Sequence, residues 1–402
     1  GTMGTGIATA CADAGIGVTL IDVEAAALER GRRVITGTYT AAVEKGRIDR
    51  GEMDARLGRI AFTDSLAAAS GVDLVIEAAF EDLAVKQGIF RELDRTAAPG
   101  TILASNTSTL DIDAIAAATT RPADVIGLHF FSPANIMRLL EIVRGAQTSP
   151  ATIAAALALA KHLGKIGVVA GNCDGFIGNR MLAVYRREAD FLLEEGGTPA
   201  QIDGALKRFG LAMGPFAVSD LAGLDIGWSI RKRRNAARPP TGRYSHVADR
   251  LCELGRFGQK TGAGYYRYET GDRTPRPDPA VDAIIEQAAH DAGIVRRPID
   301  DGEIIKRCLY PLVNEAAAIL AEGIASRPGD VDVVWVYGYG FPAFRGGPLR
   351  WADSVGLAKI VAEMGEFERL HGAVWKPAPL LAELAASGRS FGTSVEPVAA
   401  RA

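Results

Sequence analysis

The chain has five histidines, at 129, 162, 246, 290 and 371, and one of them ends an apolar run: Val125-Ile126-Gly127-Leu128-His129. An imidazole at a strand end works as a general base when a carboxylate fixes its tautomer and steadies its protonated form. Glu141, twelve residues further on in Leu139-Leu140-Glu141-Ile142-Val143, is the candidate. A turn at Ser132-Pro133 brings that second run back against the first. Spacing alone fits other accounts equally well: a hydrogen-bonded core histidine, and a strand-edge glutamate facing water. Ser105-Asn106-Thr107-Ser108 follows another apolar run, Thr101 to Ala104. Its hydroxyls and amide suit a polar ligand at a strand end, or the N-cap of a helix that starts before Leu110 and Ile112.

These groups need a scaffold, and the first residues indicate one. Gly1-Thr2-Met3-Gly4 is followed by a helical stretch from Ile7 to Ala14, a stop at Gly15, an extended run Val18 to Ile21, and then Asp22. Glycine turn, helix, strand and acid in that order match the second half of a dinucleotide-binding βαβ unit. Gly1 would let backbone approach a pyrophosphate, and Gly4 would let the helix pack on the sheet. Asp22 would accept two ribose hydroxyls and repel a 2′-phosphate, favouring NAD over NADP; a strand-end turn former would look the same. The first glycine and the strand before it precede Gly1 in such a unit, so the natural chain is expected to begin upstream.

Further apolar runs at Val72 to Ala79, Thr101 to Ala104, Val125 to Leu128, Leu139 to Val143 and Gly167 to Val169 alternate with helical segments. Strands apolar along their length and polar just past their C-terminal ends indicate a doubly wound parallel sheet with ligands at that edge. This domain covers residues 1–171. Beyond it the pattern turns helical and repeats. Arg180, Glu188, Glu195-Gly196 and Asp203 recur at an offset of 127 as Arg307, Glu315, Glu322-Gly323 and Asp330. After a six-residue insertion, Gly214-Pro215 and Asp220 recur as Gly347-Pro348 and Asp353. Two copies of a helical domain are expected at 172–275 and 296–390. The glycine-rich segment Gly258 to Gly264 and a Pro/Asp/Arg-rich stretch lie between them. Those glycines suit either a phosphate cradle or a tight structural loop.

At 402 residues the length is close to three domains' worth, and 48% hydrophobic with 23% charged residues is a globular balance. A formal charge of −3 gives no field for collecting nucleic acid. The basic run Arg231 to Arg234, with Arg238 nearby, reads as a solvated helix face. Cys11, Cys173, Cys252 and Cys308 are scattered without a Cys-x-x-Cys pair, which fits reduced thiols in a cytoplasm and no metal site. No apolar run reaches the ~20 residues that span a bilayer. The last residues, Ala400-Arg401-Ala402, carry no address of the Ser-Lys-Leu type.

Asn106-Thr107-Ser108, then His129-Phe130-Phe131-Ser132-Pro133 with Glu141, then Asp174-Gly175-Phe176-Ile177-Gly178-Asn179-Arg180, resemble the L-3-hydroxyacyl-CoA dehydrogenases of fatty-acid β-oxidation. Tyr337-Gly338-Tyr339-Gly340-Phe341-Pro342 and Phe344-Arg345-Gly346-Gly347-Pro348 are similar to the dehydrogenase portion of the multifunctional members. The resemblance implies an α/β Rossmann-type NAD-binding domain followed by two duplicated all-α dehydrogenase C-terminal domains. It implies His129 as the base that removes the 3-hydroxyl proton, Glu141 as its support, and Ser108 and Asn179 as donors to the reacting oxygen or thioester. Met3, Asp22, Ala79, Phe80, Glu81, Lys86, Ser108 and Ser132 would line the NAD site beside Gly1 and Gly4; Ser132 replaces the asparagine of many single-function members. Thr38 and Lys45 match positions that meet CoA, and Tyr337 matches a substrate-contacting tyrosine, expected to be the second copy's one contribution to the active site. Asn179 corresponds to Lys306 in that copy, so the second copy is expected to act mainly as a packing partner. An acyl-CoA substrate, a hydratase domain upstream, a thiolase partner and room for an oligomer belong to the same set of expectations. Three rivals remain. A β-hydroxyacid-type dehydrogenase would need a lysine shortly before Asn179, and none lies between Gly175 and Asn179. The others are a non-catalytic protein on this fold and the C-terminal part of a bifunctional hydratase/dehydrogenase.

Overall fold

The computed structural model describes residues 1–237 and 242–393, so Arg238 and the terminal Ala400-Arg401-Ala402 lie outside the described residues. The chain separates into two compact units, Gly1–Arg180 with Ile319–Tyr339, and Met181–Ala318 with the described residues from Gly340 on. These units cut across the sequence repeat, because Ile319–Tyr339 belongs to the second copy and lies with the first 180 residues.

In the first unit, α1 (Thr2–Asp13) leads to β1 (Val18–Ile21), α2 (Ala25–Glu44), α3 (Arg50–Leu57) and β2 (Ile60–Thr63). Then follow β3 (Leu74–Glu77), α4 (Leu83–Thr96), β4 (Ile102–Ser105), α5 (Ile112–Ala116), β5 (Val125–Phe130), β6 (Leu139–Arg144), α6 (Pro150–His162) and β7 (Ile166–Gly171). The five strands β3 to β7 form one sheet in chain order, while β1 and β2 pair in parallel as a separate two-stranded sheet. β2 is the strand that the apolar pattern does not reveal, being four residues long and ending in a threonine.

The helix α1 is built from small residues, and this lets it serve two cores. Ile7 and Cys11 pack with Leu128, Phe130, Leu140 and Ala156, while Ala8 and Ala12 pack with Ile35, Tyr39 and Met53. Every residue of β5 is buried, His129 included, because both faces of the strand are covered.

The sheet is not parallel throughout, contrary to the expectation from its apolar strands. β3, β4 and β5 run parallel, β6 runs antiparallel to β5, and β7 is parallel to β6. The reason is the length of the connection. Only Phe131 to Arg138 join β5 to β6, too few for a parallel crossover, which takes a dozen residues or more. Lys165 holds this turn by donating from Nζ to the carbonyls of Ala134 and Met137 at 2.6 and 2.7 Å. The resulting register sets His129 directly opposite Glu141.

The second unit is helical. α7 (Gly178–Glu195) continues into α8 (Pro199–Phe209), α9 (Pro215–Ala222) and α10 (Leu224–Ala237), with α11 (Val247–Glu253) and α12 (Pro279–Asp291) after them. The series then recurs in sequence as α13 (Asp301–Ala321), α14 (Pro328–Gly338), α15 (Pro348–Val355) and α16 (Leu357–His371), followed by α17 (Pro379–Ala386), with α14 and the last turn of α13 belonging to the first unit. Repeat-related residues pair reciprocally. Arg307 of the second copy, fully buried, meets Glu195 and Glu188 of the first, and Arg180 of the first meets Glu322 of the second at 2.8 Å. A surface ion pair such as Arg180–Glu322 is worth ~1 kcal/mol or less, whereas Arg307 sits where an unpartnered charge would cost several.

Asp220 and Asp353 do the same task in each copy. Asp220 accepts the backbone N–H groups of Tyr265 and Tyr266, both at 2.9 Å, and Asp353 accepts those of Phe391 and Gly392. The segment Gly258 to Gly264 is a structural loop moulded on Asp220, since a side chain on either glycine would overlap that aspartate. The basic run is likewise structural, with Arg231 on Asp249 at 2.8 Å and the Lys232 ammonium over the Trp228 ring.

Burial pushes the Asp220 carboxyl up to about 6 against three donors that favour its charged form. The sign follows from linkage: a raised folded-state value means the native protein holds the proton more tightly. That stabilisation, at most about 3 kcal/mol, is complete below pH 4 and disappears as pH rises through 6. The carboxyl carbon of Asp220, followed by NMR, should therefore titrate near pH 6; a midpoint near 4 would remove the effect.

Candidate active site

The turn before α7 creates a receptor for Glu141. Gly175 takes φ +83°, and Phe176 takes φ +52°, a left-handed conformation that costs a side-chain-bearing residue energy. With the chain bent this way, Ile177 and Gly178 donate their backbone N–H groups to Glu141 Oε1 at 3.2 and 3.0 Å. The start of an 18-residue helix adds its favourable dipole to the carboxylate. The other oxygen, Oε2, lies 2.8 Å from His129 Nδ1.

This geometry assigns the tautomer. A carboxylate only accepts, so Nδ1 carries the proton and the lone pair of the neutral ring is on Nε2. Nε2 has no hydrogen-bond partner among the described residues and is not among the buried orphan atoms. The ring is fixed between Phe131 and Phe176, with centroids 4.5 and 5.9 Å away. His129 is 5% exposed and Glu141 is fully buried.

The loop after β4 comes to the same place. Asn106 accepts the Phe130 N–H at 2.9 Å, tying this loop to the strand that bears His129. Glu81 accepts the Thr107 hydroxyl at 2.6 Å and the Ser108 N–H at 2.9 Å. The capping role left open for Ser105 to Ser108 is divided: Thr107 accepts the Leu110 N–H at the turn, while the N-cap of α5 itself is Asp111. The Ser108 side chain makes no hydrogen bond among the described residues, while its carbonyl accepts Asn179 Nδ2 at 3.3 Å. Asn179 Oδ1 in turn accepts the hydroxyl of Tyr339 at 2.9 Å. The residue of the later copy that the structure brings to this cluster is thus Tyr339, which the sequence does not single out. The repeated Tyr-Gly-Tyr-Gly sequence was its only signal. Tyr337 lies beneath the guanidinium of Arg138, 5.2 Å from its ring centre.

Residues expected at a dinucleotide are distributed along the strand ends. α1 has Gly1 as its N-cap, with no side-chain cap and no acid in its first turn. Beyond its own helix, no described residue lies within 4 Å of where a Gly4 side chain would start, so the packing on the sheet expected of Gly4 is not made among the described residues. Met3 is half-buried against the core, while Ala79, Phe80 and Ser132 are exposed. Asp22 at the end of β1 accepts the Glu24 N–H through one oxygen. Lys86 is 1% exposed, with its ammonium 2.8 and 3.0 Å from the two oxygens of Glu77 and 3.5 Å from Glu81. Ser105 also donates to Glu77, at 2.7 Å. Lys86 therefore braces these strand ends from within. Glu77 is a structural centre that the sequence pattern does not mark. Thr38 and Lys45 lie exposed on and just after α2, where the Thr38 hydroxyl bonds only its own helix, to the Val34 carbonyl. Among the described residues no cluster of metal-ligating side chains occurs, all four cysteines are unpaired, and no helix is long and apolar enough to cross a membrane.

A nucleotide-binding α/β unit with a histidine–glutamate pair at its strand ends, joined in sequence to a helical repeat, defines a class of dinucleotide-dependent dehydrogenase. Residues 1–173 match the model of the 3-hydroxyacyl-CoA dehydrogenase NAD binding domain, and residues 175–268 and 302–399 match that of the C-terminal domain. The chain belongs to the 3-hydroxyacyl-CoA dehydrogenase family. It is 46% identical over 405 residues to the peroxisomal bifunctional enzyme of Danio rerio and 43% identical over 402 residues to that of Homo sapiens. Each match covers 96% of this chain and 55% of the relative, so the chain spans about half the length of the curated relatives it matches. Among solved structures, 3-hydroxybutyryl-CoA dehydrogenase from Escherichia coli K12 aligns with a TM-score of 0.83 and 28% identity, covering 96% of this chain and 97% of that one. The dehydrogenase part of multifunctional enzyme 1 from C. elegans aligns at 0.69 with 30% identity over 95% and 87% of the two chains.

Proposed function

We propose that this protein oxidises the 3-hydroxyl of L-3-hydroxyacyl-CoA to a ketone using NAD, as a step of fatty-acid β-oxidation. The observation that carries the reading is the His129–Glu141 pair, with Nδ1 engaged and Nε2 left as a base. NAD, when bound, would supply the acceptor for the C3 hydride. His129 Nε2 takes the hydroxyl proton, and the imidazolium so formed is held against Glu141, whose other oxygen stays satisfied by two backbone donors. Ser108 Oγ and the remaining Nδ2 proton of Asn179 donate to oxygen of the substrate as charge develops there.

For the cofactor, Gly1, Met3 and Gly4 at the start of α1 would receive the pyrophosphate, and Asp22 would take the ribose. Ala79, Phe80 and Ser132 would border the rest, while Glu81 and Lys86 would set the loops they hold. Lys45 offers a cation for CoA phosphate beside Thr38, and Tyr337 with Arg138 offers a polar and aromatic surface for the substrate. The division into 1–171, 172–275 and 296–390 is proposed on the internal repeat.

Relatives almost twice as long and named bifunctional support a second activity on the whole protein; that it is a hydratase domain upstream rests on the family resemblance. A thiolase partner and self-association rest on the family resemblance alone. Unpaired thiols support a reducing compartment such as the cytoplasm, while the relatives' names favour a peroxisomal one; cell fractionation distinguishes them.

Purified protein given NAD and L-3-hydroxybutanoyl-CoA, or longer homologues, should produce NADH, with little product from the D isomers and less from NADP. Absence of turnover with every L substrate, or equal turnover of both isomers, would overturn the reading. Absence of turnover would instead favour a non-catalytic protein on this fold.

A further inference from the structure

The amide of Asn179 has two ends that look alike by shape but differ in chemistry. One end faces the carbonyl oxygen of Ser108 at 3.3 Å. A carbonyl only accepts, so that end is Nδ2, and the end facing Tyr339 at 2.9 Å is Oδ1. Tyr339 must therefore donate. Burial, reinforced by the charge of Glu141, pushes its phenol well above the ordinary range, so it remains protonated.

Tyr339 is placed for this task by its surroundings. Its ring stacks on Trp335 at 4.8 Å and meets the edge of Phe131 at 5.6 Å, and Phe131 also packs on His129. On its other side lies Gly178, where any side chain would overlap the phenol. The glycine whose N–H binds Glu141 thus also makes room for the tyrosine that binds Asn179. In the repeat, the six-residue insertion of the second copy falls between Asp330 and Gly347, the stretch that contains Tyr339.

We infer that Tyr339 is a positioning residue that holds the Asn179 amide in one orientation, with Nδ2 directed as a donor and Oδ1 kept from the reacting oxygen. This rests on the dehydrogenase reading. A flipped amide would present a lone pair to the developing negative charge in place of an N–H, and the loss would fall on the transition state more than on substrate binding.

The test is Tyr339→Phe, which keeps the ring and removes one oxygen. The expected result is a kcat about 5- to 10-fold lower, the range for one ordinary hydrogen bond, with KM for NAD and for L-3-hydroxyacyl-CoA and the melting temperature unchanged. On an Asn179→Ala background the same substitution should cost nothing further, because the two residues act through one contact. Wild-type kcat in Tyr339→Phe, or an equal loss on both backgrounds, would overturn the inference. Side-chain amide resonances of protein labelled with 15N-asparagine give an independent reading. The Asn179 NH2 group should show slower rotation in the wild type than in Tyr339→Phe, and identical behaviour would also overturn it. An inactive wild type with this difference preserved would refute the dehydrogenase function while leaving the positioning contact supported.

Discussion

His129→Gln should lower kcat with NAD and an L-3-hydroxyacyl-CoA by about 100- to 10,000-fold, the span for loss of a general base. The substitution keeps a polar side chain of similar reach and removes the lone pair that takes the hydroxyl proton. Phe131 and Phe176 enclose the ring, and Glu141 retains its two backbone donors, so the fold and NADH binding should survive. The acid limb that a base imposes on the pH–rate profile should vanish with it. Steady-state kinetics beside NADH titration check both halves, and turnover within tenfold of wild type would sink the mechanism.

Glu141→Gln should lower kcat by up to about 10,000-fold, the cost of losing the acid of a catalytic triad through a wrong tautomer. Donor count decides the outcome. Ile177 and Gly178 both donate to one oxygen of Glu141. A glutamine that satisfies them with its carbonyl must face His129 with its NH2 group. Nδ1 then becomes an acceptor and the proton moves to Nε2, where a base is needed. The opposite flip sets the NH2 against two backbone N–H groups and leaves them unpaired in a buried site, which costs stability. Kinetics and thermal melting together separate the two orientations. A Glu141→Gln protein with both kcat and melting temperature unchanged would show that the pair does no work.

Much of this arrangement is legible in the residues. His129 and Glu141 stand in two apolar runs joined by eight residues, and the Ser132-Pro133 turn is visible between them. Counting that connection against the length of a crossover also gives the antiparallel pairing, which the apolar character of the strands concealed. Other features depend on tertiary approach and leave no local trace. Lys86 looks like a surface lysine on a helix, yet it is buried on Glu77. Tyr339 is one of two tyrosines in Tyr337-Gly338-Tyr339, and which one reaches Asn179 is decided by the open space above Gly178. The Ser108 side chain is not used as a cap because Thr107 and Asp111 cap the turns around it, a choice among neighbours that only their hydrogen bonds reveal.

The placement of Ile319–Tyr339 in the first unit bears on how the protein is made. Ala325 bridges to Ala170, the Ile324 carbonyl accepts the Gly171 N–H, and Tyr339 completes the contact to Asn179. During synthesis the nucleotide-binding strands and His129 leave the ribosome long before that segment exists. At about 5–20 residues per second, the 160 residues between Asn179 and Tyr339 take roughly 8 to 30 s to appear. For that interval the edge of β7 and Asn179 Oδ1 wait for partners that have not been translated.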